Sequence, residues 1–167
     1  DNLASASQLL LRGAEGMELI TLTIGSRDGA SGRYLAIIEG FSIETPDDED
    51  IVDVRVGPLA ARSSVIQAFM VAAPNSRLDP YLELPDAELI CDDAGRDDCD
   101  FVPSFAGAGV TLHEGETVTT FTGDRADAGL LIAPGSTEPQ SVILSSRRAD
   151  TRGAYALVLI GALPPRE

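Results

Sequence analysis

The richest chemistry in this chain lies between its only two cysteines. Cys91-Asp92-Asp93-Ala94-Gly95-Arg96-Asp97-Asp98-Cys99 runs straight into Asp100. Asp92, Asp93, Asp97, Asp98 and Asp100, with Asp79 upstream in RLDPY, offer the hard oxygen ligands of which Ca²⁺ takes roughly six to eight. Like charges this close repel one another, so either a cation or open solvent must screen them. The spacing is not that of an EF-hand loop, because its glycine and terminal glutamate positions are not met. Two readings therefore stand. One is a calcium site, and the other is a solvated acidic tip in which Asp92 and Asp93 cap turn amides. Cys91 and Cys99 are expected to close the loop as a disulfide, which places the chain in an oxidising compartment; a pair of free thiols is the alternative. A second acidic group, Asp47, Asp48, Glu49, Asp50 and Asp53, reads as a solvated loop, with a metal site as the alternative.

Nothing else in the sequence assembles into a catalytic pattern. His113 is the only histidine, so any Ser-His-Asp or Cys-His site would have to use it. It falls in His113-Glu114-Gly115-Glu116, which reads as a surface turn, and no nucleophile-elbow motif is present. Ser104 in VPSFAG lacks that context. One histidine and two cysteines expected to pair give zinc too few ligands. Tyr34, Tyr81 and Tyr155 are read as sandwich-edge packing residues rather than a sugar platform, since tryptophan is absent. No glycine-rich phosphate loop follows a strand and opens a helix. No catalytic residue is expected.

The charge balance bears on partners. Twelve basic residues, all arginine, stand against 27 acidic ones, a net charge of −15. Such a chain is not held by nucleic acid or an anionic membrane surface through general electrostatics. No apolar run approaches the ~20 residues of a membrane-spanning helix. The chain opens with Asp1, which reads as a processed mature protein or a piece of a longer one.

These residues must be positioned by strands. Leu78, Leu82 and Leu84 alternate with Tyr81 and Glu83, a half-buried strand, and Pro85-Asp86 turns the chain into the apolar run Leu89-Ile90-Cys91. MELITLTI over 17–24 and RYLAII over 33–38 read as a hairpin across a glycine-rich turn, with Phe41-Ser42-Ile43 as a further short strand. IVDVRV (51–56), SSVIQAFMVA (63–72), Val110-Thr111-Leu112, TVTTF (117–121) and Leu130-Leu131-Ile132 are also strands. SVILS (141–145) and AYALVLI (154–160) read as the last pair. Residues 1–8 read as a loose arm. Gly32-Arg33-Tyr34 with Gly40 and Gly153-Ala154-Tyr155 with Gly161 form a weak repeat at one constant offset. Strands at roughly 8–12-residue spacing, with 16 glycines and 10 prolines, predict an all-β antiparallel sandwich, jelly-roll-like, with an N-terminal hairpin extension. The expected division is an arm and hairpin over 1–39, packed on the sandwich or on a neighbour, and the sandwich over 40–167.

Residues Gly40 to Gly161 carry a further pattern in order. It comprises Gly40, then Asp50 with Asp53, the strand Ser64 to Ala72, Leu78-Asp79-Pro80 with Leu82 and Leu84, Asp92-Asp93 with Gly95, and Gly153 with Tyr155. This resembles the bacterial pre-peptidase C-terminal domain, a β-sandwich usually appended to secreted proteases and other exported proteins. The stretch from Phe101 to Arg152, the two cysteines and residues 1–39 depart from that pattern. The resemblance implies a non-catalytic binding or structural module, secreted, periplasmic or on the bacterial cell surface, whose partner is a protein or a cell-surface polymer. Two alternatives are an assembly subunit that uses the N-terminal arm for contacts, and a hydrolase with an unrecognised site.

Overall fold

The apolar runs become strands, and their partners reveal how the chain is wound. The computed structural model describes residues 24, 32–45, 49–54, 65–93, 109–114, 117–122, 127–132 and 140–163. Among them are β1 (Gly32–Ile43), β2 (Asp50–Val54), β3 (Ile66–Ala72), β4 (Pro80–Leu84), β5 (Leu89–Cys91), β6 (Gly109–Glu114), β7 (Thr117–Thr122), β8 (Ala128–Ile132), β9 (Gln140–Ser146) and β10 (Gly153–Leu163). One sheet has the order β1-β10-β3-β8, the other β2-β9-β4-β5, and β6 pairs with β7 alone. Every pairing is antiparallel.

With β6 and β7 set aside, the outermost pairs in sequence join first to last: β1 with β10, β2 with β9, β3 with β8 and β4 with β5. This is one long antiparallel hairpin, doubled back at the 3₁₀ turn Pro85–Ala87. Rolling it up adds the pairs β10 with β3 and β9 with β4. An eight-stranded double sheet wound this way is a jelly roll. The all-β sandwich expected from the sequence is the fold observed.

The core lies between the sheets. β4 shows why: Pro80, Leu82 and Leu84 are buried while Tyr81 and Glu83 between them are half-buried. Ile43, Ala68, Met70, Leu130, Ile132, Val142, Leu144, Tyr155 and Leu157 complete the same cluster from both sheets. The central strands β3 and β10 read AFMVA and AYALVL without alternation, and the structure buries them on both faces. Phe69, Val71, Ala156 and Val158 form a second buried cluster on the side away from the other sheet.

Two expectations change. Residues 33–38 and 41–43 form one strand, β1, with a register shift between Ile38 and Phe41 that absorbs the irregularity read as a break. The expected boundary at Gly40 therefore falls inside β1. SVILS and AYALVLI are not a pair, for β9 and β10 lie in opposite sheets because the connection between them crosses the sandwich. The expected strand 17–24, apart from residue 24, and the arm 1–8 lie outside the described residues. The weak repeat acquires a geometry. β1 and β10 are antiparallel neighbours, with Tyr34 opposite Gly161 and Tyr155 opposite Phe41. The Tyr34 ring lies where a Cβ on residue 161 would stand, its Cε1 2.7 Å from that point, so glycine is what lets the ring lie down there.

Candidate functional site

The candidate residues gather at one end of the jelly roll. Ile43 lies opposite Gly153, Ala72 opposite Tyr155, and Pro80 opposite Ser146. The crossovers β1–β2, β3–β4 and β9–β10 therefore share that end. β5 delivers Cys91 towards it, opposite Leu82.

Asp79, the last residue before β4, is held on three sides by the β9–β10 crossover. Its Oδ2 pairs with Arg148 Nε at 2.9 Å. Its N–H donates to Thr151 Oγ1 at 3.3 Å, and its carbonyl accepts from Arg147 N–H at 2.9 Å. The hydroxyls of Ser146 and Thr151 share a hydrogen bond beside it. Asp92, just past β5, pairs with Arg147 Nε at 3.4 Å. The Arg147 guanidinium lies over the Tyr81 ring, 5.5 Å from its centroid, within cation–π reach. Asp79 and Asp92 thus reach the same end, but each holds its own arginine. Asp93 is half-buried next to Asp92. Asp97, Asp98 and Asp100 lie outside the described residues, as does Cys99. Among the described residues, no three of His, Cys, Asp and Glu are grouped to hold a metal ion.

Cys91 is fully buried, and its Sγ accepts the Gly129 N–H at 3.1 Å. The contact ties β5 of one sheet to β8 of the other along the side of the sandwich. No free cysteine occurs among the described residues.

Two carboxylates are structural, and one of them, Asp50, belongs to the group read as a solvated loop. Asp127, in the polar run before β8, is buried, and its Oδ1 accepts the Ala72 N–H at 3.2 Å. Asp50, from the second acidic group, accepts the Tyr155 hydroxyl on its Oδ2 at 2.6 Å. Tyr155 is a core residue, not an edge one, and this bond joins β10 to β2 across the sheets. Burial foremost, then the hydrogen bond to Asp50 and its negative charge, push the Tyr155 phenol well above its ordinary range. Burial also raises that of Tyr34. A carboxylate directly ahead of an apolar run was the available signal for Asp127. No local signal marks Asp50 as a partner for Tyr155.

His113 is not in a turn. It lies within β6 opposite Val118, and Glu114 pairs with Thr117, which leaves only residues 115 and 116 to connect the strands. Ser104 lies outside the described residues. A cavity of about 280 Å³ is lined by Glu44, Ala149, Asp150, Thr151 and Arg152, beside the same crossover.

Compared with protein-family models, curated proteins and solved structures, the chain shows no significant match to any of the three.

Proposed function

We propose that this chain is a non-catalytic, exported binding or structural module that engages a protein or cell-surface partner. The observation that supports this reading is the use made of polar side chains at the loop end. Asp50, Asp79, Asp92, Asp127, Ser146 and Thr151 hold crossovers to strands and one sheet to the other. Groups committed to such contacts make a stiff platform for loops, the usual arrangement in binding domains. The resemblance of residues 40–161 to the pre-peptidase C-terminal domain agrees with it and brings export with it. A Cys91–Cys99 disulfide belongs to the same proposal. So does calcium on the carboxylates of Asp92, Asp93, Asp97, Asp98 and Asp100 with Asp79, of which Asp79 and Asp92 each pair with an arginine.

The test is saturable binding of the labelled, folded chain to surface fractions of its source cells, with heat-unfolded chain as control, beside a panel of ester, peptide and glycoside substrates. Saturable binding without turnover is expected. Hydrolysis that disappears in His113→Ala would replace this reading with the hydrolase. A mass in size-exclusion chromatography that depends on residues 1–16 would favour the assembly subunit.

A further inference from the structure

The described residues expose five large apolar side chains, and only Leu89 and Ile90 are neighbours. They sit on β5, the last strand of its sheet among those described. Consecutive strand residues point to opposite faces. Leu89 lies opposite the buried Leu84, on the core side, yet is 43% exposed; Ile90 lies opposite Glu83, on the outer side, and is 51% exposed. A partner that covers both must run along the margin of the sheet, because a helix laid on either face reaches only one. That margin is acidic. Glu83 faces Ile90 across the pair, Asp86 and Glu88 are exposed just before β5, and no ion pair of the described residues involves these three.

Resting on the reading of the chain as a binding module, we propose that the β5 margin receives an extended peptide in which apolar and basic residues alternate. Its apolar side chains cover Leu89 on the core side, and its lysines or arginines, on the outer side, lay their aliphatic stems over Ile90 and meet Glu83, Asp86 and Glu88. An extended segment beside a sheet is a common mode of peptide recognition, with alternate side chains supplying specificity. The three-residue length of β5 keeps the contact short.

The test is fluorescence anisotropy with the full chain and a labelled octapeptide of alternating valine and lysine. A control peptide has the same composition in two blocks, and another carries glutamate for lysine. Wild type is expected to bind the alternating peptide saturably and about tenfold tighter than the block peptide. Ile90→Lys should weaken it by about tenfold or more through like charge at the contact. Glu83→Gln with Glu88→Gln should weaken it several-fold and flatten its salt dependence. Ile51→Lys, on the far strand β2, should leave it unchanged. Equal affinity for the block peptide, no binding of the alternating peptide, or undiminished binding by Ile90→Lys with an unaltered melting curve would each overturn the proposal. If wild type still binds surface fractions in those cases, the module reading stands and only this site is wrong. If wild type binds neither, both fail.

Discussion

Replacing Tyr155 with phenylalanine removes a hydrogen bond that joins the two sheets through a core side chain. The ring is 1% exposed, and its hydroxyl donates to Asp50 Oδ2 at 2.6 Å. Phenylalanine keeps the ring and removes the hydroxyl that makes that bond. A hydrogen bond to a charged group contributes about 1.5–3 kcal/mol. Asp50 is half-buried, so water recovers part of the loss, and the lower end applies, about 1.5–2 kcal/mol. At roughly 2–4 °C per kcal/mol for a chain of this size, Tm should fall by about 3–8 °C. The alkaline range gives a sharper test. The folded-state phenol is raised, whereas an unfolded tyrosine titrates near 10. Below about pH 10 both states keep the proton, and the contribution is whole. Above it the unfolded chain releases the proton while the folded chain keeps it, so wild type loses about 1.4 kcal/mol per pH unit from this residue. Tyr155→Phe has no such loss. The stability gap should hold from pH 7 to 9, then shrink, and close near pH ~11–11.5. Urea unfolding followed by far-ultraviolet circular dichroism at fixed pH values reads the gap directly, and titration of Tyr34 cancels between the two proteins. Equal midpoints at pH 8, or a gap unchanged up to pH 11, would refute the linkage.

Three further outcomes are testable, one from a packing contact and two from the acidic loop. Gly161→Ala should cost about 1–3 kcal/mol in urea unfolding, because the Tyr34 ring occupies the space of the new methyl, and Tyr34→Ala in the same chain should recover part of it; a wild-type midpoint would show that the ring moves aside freely. Protein from its native compartment should keep its intact mass on alkylation without reductant, the mark of a Cys91–Cys99 bond, and two alkylated thiols would exclude it. Saturating calcium should raise Tm by several degrees over chelator, since a ligand at a hundredfold excess over its Kd adds about 2.7 kcal/mol; Asp93→Asn with Asp98→Asn should abolish the response, and identical Tm values in calcium and chelator for wild type would identify the loop as a solvated tip.

The positions of the strands were legible because the signal for a strand is local. Leu78, Leu82 and Leu84 alternate within a few residues, and the unbroken runs in β3 and β10 announce strands covered on both faces. The β4–β5 pair was also legible, since its turn, Pro85–Ala87, lies between the two strands. The other pairings of the roll were not. β9 and β10 adjoin in sequence and were read as partners, yet each pairs with strands from the first half of the chain. Periodicity states which side of a strand is buried but not against what, and a jelly roll closes its outer pairs over the whole length of the domain.

The same division holds at the loop end. Asp79, Asp92 and Cys91 stood out as candidates from their types and spacing. That Arg148 and Arg147 would reach the two carboxylates was not legible, because the arginines arrive on the β9–β10 crossover from far along the chain. Asp127 sat in a polar run with no reading of its own, and Asp50 in a run read as solvated. Only the tertiary structure brought the Ala72 N–H to one and the Tyr155 hydroxyl to the other. Local sequence determines whether a residue can donate, accept or pack, since those properties belong to the side chain itself. Whether it meets water, an arginine or a phenol depends on which distant strands the roll lays beside it, and that is a property of the closed fold.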